Sequence, residues 1–178
     1  MPFVSNDPDF EAIIPAILNW EGGAKLVEHP RDPGGKTKYG ISERFNGERI
    51  KALNTTISKL TEAQAREIYY RDYWLESEAD TIHDQGLALI HFDAAVNHGV
   101  GAAKQMLAAL PSKPRDFAGD GLNKALFNEL SLHYLGQRQA RYASDKNADV
   151  FLEGWVNRLT RLINAHVKLY YNPGRPLE

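Results

Sequence analysis

The fold of this chain is decided by an apolar segment in its middle, Leu87-Ala88-Leu89-Ile90-His91-Phe92-Asp93-Ala94-Ala95-Val96-Asn97. Apolar side chains cover nearly all sides of a helix drawn through this segment, which is typical of a helix surrounded by protein. Gly99 and Gly101 follow it and interrupt the pattern. The sequence therefore predicts a central buried helix against which other helices pack.

Amphipathic segments lie on both sides of this central helix. Asp7-Pro8 starts the first one, in which Pro15 either kinks the helix or delays its beginning. Thr61 and Gln64 form a capping box that opens a second helix, which continues to about Glu78. A short helix to residue 110 and two longer helices near 123–143 and 149–170 follow. The apolar stripe of the first helix contains Phe10, Ile13, Ile14, Ile17 and Leu18.

Length and composition favour one globular domain. The chain has 178 residues, of which 43% are hydrophobic and 25% charged, as in ordinary soluble proteins. Residues 22–56 are rich in glycine, proline and polar residues, so we expect loops with short extended pieces there. The predicted class is mainly α with a small β element within 24–45. The single domain covers residues 1–178 and includes the C-terminal helices 123–170.

Several classes of function are disfavoured by composition and spacing. The chain has no cysteine and a formal charge of -2, so we expect neither a cysteine-based site nor nucleic-acid binding. His91 and His98 lack a third ligand at suitable spacing, so packing histidines are favoured over a metal pair. Gly34-Gly35-Lys36-Thr37 lacks the earlier glycine of a phosphate loop. We expect no metal and no cofactor.

The chain shows no targeting or membrane segment. Its first residues lack a basic and apolar signal peptide, and no stretch reaches the about 18 apolar residues of a membrane span. The expected location is the cytoplasm in which the protein is made.

Glu21 is the first candidate catalytic residue. It ends the first apolar stripe directly after Trp20 and precedes Gly22-Gly23. Apolar neighbours and the carbonyls of a helix C-terminus both favour a protonated carboxyl. A carboxyl that keeps its proton is what a general acid at a glycosidic oxygen requires. The two glycines would let backbone or substrate approach the acid.

Asp32 is the second candidate, in the turn Asp32-Pro33-Gly34-Gly35. It either caps this turn or faces Glu21 across a cleft, with Thr37 and Tyr39 positioning a water or a sugar hydroxyl. Carboxyl groups about 6.5–9.5 Å apart predict inversion at the sugar, and about 5–5.5 Å predicts retention.

Two further regions carry candidate substrate-binding residues. Tyr73 and Trp74 end a dense aromatic stretch in which a ring could stack on a sugar, although most of these rings are expected in the core. Asn97, one turn after Asp93 on the apolar helix, either contacts a sugar N-acetyl group or holds structure together, and the structural role is favoured.

Four segments together resemble glycoside hydrolase family 108, a family of lysozyme-like N-acetylmuramidases found in bacteria and as phage endolysins. The resemblance begins with Trp20-Glu21-Gly22-Gly23 and the stretch from Asp32 to Ser42. It continues in order through 65–74, Phe92 to Gly99, and 151–159 with Gly154-Trp155-Val156-Asn157-Arg158. In this chain Asp120-Gly121 begins only a degraded form of the family's "DG-x-x-G-x-x-T" segment.

The resemblance implies a lysozyme-like α fold with a small loop or β element beside an active-site cleft. It implies cleavage of the β-1,4 bond between N-acetylmuramic acid and N-acetylglucosamine in bacterial peptidoglycan, with Glu21 as the acid. Related phage lysozymes follow this Glu with an Asp and a Thr, an order that Asp32 and Thr37 keep at a different spacing. The implied protein is a monomeric endolysin that waits in the host cytoplasm until a holin-type pore releases it.

Two alternatives stay open for the function, and one for the last helix. The same fold would also suit a non-catalytic wall- or envelope-binding module, or a lytic transglycosylase that leaves 1,6-anhydro-muramic ends. The last helix is expected to dock on the core through Trp155, Val156, Leu159, Leu162, Ile163 and Val167. Its basic residues Arg158, Arg161 and Lys168 offer contact with an anionic outer membrane as the alternative.

Overall fold

The computed structural model describes residues 3–28, 35–111, 124–172 and 174–177, and seven α-helices run through these ranges. They are α1 (Pro8–Trp20), α2 (Glu43–Ala52), α3 (Glu62–Tyr69), α4 (Gln85–His98), α5 (Val100–Ala108), α6 (Lys124–Ala143) and α7 (Ala148–Tyr171). A two-stranded antiparallel hairpin, β1 (Thr37–Lys38) and β2 (Ile41–Ser42), lies between α1 and α2. The predicted class, mainly α with a small β element, is confirmed.

Helix α4 is the centre of the structure. Every residue from 85 to 95 is buried, and α5, α6 and α7 pack around the helix. The helix begins where the Asp84 carboxylate accepts a hydrogen bond from the Leu87 N–H (2.8 Å). This central buried helix is the one that the apolar segment predicts.

Helix α1 starts as expected and is continuous. The Asp7 carboxylate accepts from the backbone N–H groups of Asp9 (3.0 Å) and Phe10 (3.1 Å), and Pro8 occupies the first turn. Pro15 lies within the helix, which begins at Pro8 and continues to Trp20, so the delayed start that Pro15 could have caused does not occur. The predicted apolar stripe is entirely buried, so α1 delivers Glu21 to a fixed place beside the core.

The capping box at Thr61 is present, but the helix that it opens changes geometry. Gln64 N–H donates to the Thr61 hydroxyl (3.3 Å), and Thr61 N–H donates to the Gln64 side chain (3.0 Å). After Tyr69 the chain forms a π-helical turn, Tyr70–Leu75. A π turn brings residues five apart onto one side. This places both Tyr69 and Trp74 in the core.

Helix α2 corrects the prediction of loops across residues 22–56. Its ten residues are mostly polar or charged, and Ile50 is the buried one among them, whereas Phe45 stays exposed. With no apolar stripe to reveal it, the helix gives no periodic signal in the sequence. It packs beside β2.

Helix α7 docks on the core through a face that includes only part of the predicted set, namely Leu162 and the partly buried Leu159. Leu162, Ala165 and Leu169 are buried, whereas Val156, Ile163 and Val167 are about half exposed. The Arg158 side chain is 14% exposed and points into the protein, which removes it from the predicted basic surface. None of the helices in the described ranges combines the length and apolar character needed to span a bilayer.

Candidate active site

Glu21 is the C-cap residue of α1, directly after Trp20, the last residue of the helix. The Gly23 N–H donates to the Leu18 carbonyl (2.9 Å) and the Gly22 N–H to the Asn19 carbonyl (3.2 Å). These two bonds form a Schellman motif, in which Gly22 adopts the left-handed backbone (φ +87°). A Cβ at Gly22 or Gly23 would meet nothing within 4 Å among the described atoms. The two glycines therefore end the helix, and no described atom lies close to where their side chains would be; an approach of substrate at this point stays a prediction.

The close approach occurs at Gly40, in the turn between β1 and β2. A Cβ at Gly40 would lie 2.6 Å from the Glu21 Cβ, 2.7 Å from its Oε2 and 2.7 Å from the Tyr69 hydroxyl. Tyr39 and Gly40 both have positive φ (54° and 73°), as a two-residue type I′ hairpin turn requires. The hairpin turn is therefore packed directly against the Glu21 side chain.

Two hydrogen bonds fasten this turn to the rest of the site. The Tyr39 N–H donates to the Gly23 carbonyl (2.9 Å), and the Tyr69 hydroxyl donates to the Tyr39 carbonyl (2.8 Å). Burial raises the pKa of Tyr69 well above its usual value, and the nearby Glu21 adds to this. Tyr69 therefore keeps its proton and acts as a donor across the working pH range.

Arg158 from α7 holds the Glu21 carboxylate. Its Nη2 donates to Glu21 Oε1 (2.7 Å) and to Asp93 Oδ1 (2.7 Å), and its Nε contacts both Asp93 oxygens at 3.1 Å. The planar guanidinium can bridge two carboxylates in this way because it presents several donors in a fixed fork. The 2.7 Å contact therefore fixes the direction of the Glu21 carboxyl group from a helix far along the chain.

A fully buried ion pair supports Arg158 from behind. Asp93 on α4 and Arg138 on α6 are both 0% exposed, and their nearest charged atoms are 2.7 Å apart. Burial alone raises the pKa of Asp93, but Arg138 and Arg158 overcome this and hold the pKa below its usual value. Glu21, Asp93, Arg138 and Arg158 thus form a cluster of two acids and two bases, called here the charged layer.

The structure gives the positions of three further predicted site residues, Thr37, Tyr39 and Tyr73. Asp32 lies outside the described residues. Thr37 is half buried on β1, where its backbone pairs with Val27 through two hydrogen bonds of 2.8 Å. Tyr39 is 8% exposed and belongs mainly to the hairpin turn. The Tyr73 ring packs beside Tyr69, with ring centroids 5.5 Å apart. Burial raises the pKa of Tyr73, and Asp72 and Glu21 add to the effect.

Trp74 and Asn97 are the two remaining residues that the sequence predicts to bind substrate. Trp74 is 1% exposed and its indole N–H donates to the Asp7 carboxylate (2.8 Å), at the opposite end of α1 from Glu21. This placement corrects the prediction of Trp74 as a sugar-binding residue, because its ring fills the core. Asn97 is exposed, and its Oδ1 accepts from the Tyr142 hydroxyl (2.7 Å).

Sequence reasoning missed Arg138, Arg158, Tyr69 and Gly40 as members of the site. A usable signal existed for the arginines. Asp93 stands in a helix that is apolar on nearly all sides, and a buried carboxylate needs cationic or hydrogen-bonding partners. Nothing in the local sequence shows which of the later arginines supply them.

His91 in the central helix is a packing residue. His91 is buried between the Tyr134 hydroxyl (2.9 Å from Nδ1) and the Ser77 carbonyl (2.9 Å from Nε2). Within the described ranges, no three histidine or acidic side chains are grouped so as to hold a metal ion.

Comparisons with known proteins relate part of this chain to a family and the chain to a known fold. Residues 14–99, which contain Glu21, the hairpin and Asp93, match the family model described as Glycosyl hydrolase 108. The chain also has the fold seen in the structure of Brucella abortus SagA, with a TM-score of 0.70 and 23% sequence identity. That likeness covers 92% of this chain and 97% of the other. A comparison with curated proteins found no match. Residues 14–99 therefore match glycosyl hydrolase family 108, a lysozyme-like family of peptidoglycan-degrading enzymes, and the chain has the lysozyme-like fold.

Proposed function

We propose that this protein is an N-acetylmuramidase that cleaves the β-1,4 bond between N-acetylmuramic acid and N-acetylglucosamine, with Glu21 as the general acid. The observation that carries the proposal is the setting of Glu21. Its side chain is 18% exposed, it lies against the hairpin turn, and Arg158 holds one of its oxygens. The carboxyl is thus accessible to substrate and fixed in direction.

The charged layer suits the chemistry of proton donation. When Glu21 gives its proton to the leaving glycosidic oxygen, a carboxylate forms next to the Arg158 guanidinium. A charge-assisted hydrogen bond then stabilises the new anion. Asp93 and Arg138 fix the guanidinium in place, so little reorganisation is needed during the reaction.

The group that activates water or stabilises the oxocarbenium-like transition state is a separate part of the proposal. Asp93 is unsuited to this role because it is fully buried and engaged with two arginines. We assign the role to Asp32, with Thr37 orienting the water. Asp32→Asn should then abolish hydrolysis, whereas Thr37→Ala should reduce it. A fully active Asp32→Asn variant would contradict the assignment.

The proposal is tested by digesting purified Gram-negative peptidoglycan and reading the products by mass spectrometry after borohydride reduction. The wild type should release reduced N-acetylmuramic acid ends. Glu21→Gln should lower the rate at least about a hundredfold, the usual contribution of a general acid. Glu28→Gln is the matched control, because the Glu28 side chain is 67% exposed and pairs only loosely with Lys36, at 4.0 Å.

The products also distinguish the alternatives. Anhydro-muramic ends would identify a lytic transglycosylase, in which the muramic acid's own hydroxyl replaces water. Equal activity of wild type and Glu21→Gln would remove Glu21 from the mechanism. Binding of peptidoglycan without hydrolysis by either protein would favour a wall-binding module.

We further propose that the protein acts as an endolysin, as one monomeric domain that reaches the wall from the host cytoplasm through a pore. The support is the match of residues 14–99 to a wall-degrading family. Expression in a Gram-negative host, followed by permeabilisation of the inner membrane, should make the culture turbidity collapse for the wild type and not for Glu21→Gln. Collapse without permeabilisation would contradict the need for a pore.

A further inference from the structure

A second layer of side chains lies one helical turn from the charged layer on the same three helices. Asn97 follows Asp93 by four residues on α4, Tyr142 follows Arg138 by four on α6, and Trp155 precedes Arg158 by three on α7. A rise of 1.5 Å per residue separates the two layers by about 4.5–6 Å.

Direct contacts join the members of this second layer. The Tyr142 hydroxyl donates to Asn97 Oδ1 (2.7 Å), and the rings of Tyr142 and Trp155 stack with centroids 4.8 Å apart and planes 13° apart. Arg138 Nη2 also donates to the Tyr142 hydroxyl (3.2 Å). The second layer is therefore bonded to the charged layer that holds Glu21.

The Trp155 ring is held in a fixed orientation. Tyr142 is 4% exposed and bonded through its hydroxyl to two residues, so it forms a rigid backing for the indole. Phe151 lies one turn before Trp155 on α7. The centroids of the two rings are 5.8 Å apart, and Phe151 is 51% exposed. The two rings make an ordered aromatic surface that is open to solvent on the Phe151 side.

This surface continues the face by which α7 docks on the core. That face runs through Phe151, Trp155, Arg158, Leu162, Ala165 and Leu169, at the spacing of one helix side. It is buried from Leu162 onwards, contacts Glu21 at Arg158, and emerges into solvent at Phe151. The half-exposed Val156, Ile163 and Val167 lie on a different side, so the rings are not part of that apolar stripe.

Asn97 adds hydrogen-bonding capacity beside the rings. Its Oδ1 accepts from Tyr142, and its Nδ2 makes no hydrogen bond to the part of the chain that the structure describes. An N-acetylated sugar presents both an apolar ring face and carbonyl and hydroxyl oxygens. Aromatic rings next to an amide donor match both features.

We propose that Trp155, Phe151 and Asn97 form a saccharide subsite that binds the N-acetylhexosamine unit adjoining the bond held at Glu21. The inference rests on the proposed function for the orientation of the glycan, since it places a sugar one helical turn from Arg158, the residue that contacts Glu21. It assigns binding, not chemistry, to these three residues. Their contribution should be the same in the ground state and in the transition state.

The test measures the dissociation constant for the N-acetylglucosamine tetramer by calorimetry, together with KM and kcat on soluble peptidoglycan fragments. Trp155→Ala should raise Kd and KM about tenfold with kcat nearly unchanged, the pattern of lost uniform binding. Trp155→Phe should keep most of the affinity because it keeps a ring. Phe151→Ala should weaken binding about threefold. Leu152→Ala is the matched control, because Leu152 is 46% exposed on another side of α7.

The outcomes separate this inference from the proposed function. Hydrolysis by the wild type with unchanged KM in folded Trp155→Ala and Phe151→Ala would overturn the subsite alone. Tetramer binding that depends on Trp155, without any hydrolysis, would overturn the muramidase and leave the subsite standing. Absence of tetramer binding by the wild type would also overturn the subsite. If Trp155→Ala fails to fold, the Kd and KM of Phe151→Ala provide the test instead, because removal of the half-exposed Phe151 ring opens no cavity in the core.

Discussion

Glu21 occupies a position that is unfavourable for an acid in isolation. The carbonyls at the end of α1 oppose a carboxylate by roughly 0.3–1 kcal/mol. Arg158 offsets this through a 2.7 Å charge-assisted hydrogen bond. The glycines around the site have separate tasks, since Gly22 ends the helix and Gly40 lets the hairpin approach the acid.

Gly40→Ala should disturb the active site through a steric clash and not merely through lost backbone flexibility. The new Cβ would enter the space of the Glu21 side chain, and alanine is strained at φ +73°. We expect the free energy of unfolding to fall by about 2 kcal/mol or more and kcat/KM at least about tenfold. Gly47→Ala in α2 meets nothing within 4 Å and should stabilise by about 0.5–1 kcal/mol. Urea unfolding and peptidoglycan digestion measure both effects, and equal behaviour of the two variants would contradict the close-approach argument.

At the scale of elements, the charged layer joins four helices. Asp93 on α4 binds Arg138 on α6 and Arg158 on α7, and Arg158 reaches Glu21 at the end of α1. The same contacts that tie the C-terminal helices to the centre therefore also hold the catalytic candidate. The position of Glu21 therefore depends on how α6 and α7 pack against the rest of the protein.

Arg138→Met should show how much the central ion pair matters. Methionine fills a similar volume but leaves the fully buried Asp93 with Arg158 as its remaining cationic partner. Removing one member of a buried pair costs about 3–5 kcal/mol of unfolding free energy. Arg141→Met, one turn away at an exposed position of α6, should change stability by less than about 0.5 kcal/mol. A loss below about 1 kcal/mol for Arg138→Met would show that the buried pair contributes little.

At the scale of the whole molecule, the burial of His98 makes stability depend on pH. Burial lowers the pKa of His98 to about 4, with Arg138 and Arg141 adding to the shift and Asp93 opposing it. An unfolded histidine has a pKa of about 6.5. Between these values the unfolded chain takes up a proton that the folded protein does not, so stability falls as pH falls. The pKa of Asp93 is lowered from 3.8, so its contribution to stability is lost only as the pH falls below that of the histidine transition.

His98→Gln should therefore reduce the loss of stability between pH 6.5 and pH 4. The measurement is the free energy of unfolding in urea at several pH values for wild type and variant. His133→Gln is the control, because the His133 side chain is 53% exposed and only loosely paired with Glu129 at 3.8 Å. It should retain the wild-type slope. An unchanged slope in His98→Gln would show that His98 is protonated equally in both states.

Much of the framework follows from local rules. The all-apolar α4, the stripe of α1 and the Thr61 capping box depend on spacing within a few residues, and all three are present as predicted. Helix α2 was missed because its charged sequence has no stripe and its place depends on contacts with β2. Trp74 was misplaced because the π turn shifts the face that it presents.

The sequence by itself determined that this protein is mainly α-helical around one buried helix, and that Glu21 stands at the end of α1. These features are encoded by hydrophobic periodicity and helix-end residues, which act over one or two turns. Only the tertiary structure decided which cations meet the acids. Arg158 lies 137 residues from Glu21 and 65 from Asp93 along the chain, and packing of α7 against α4 brings them together. A pairing across such separations depends on how whole helices pack, and no local pattern encodes it.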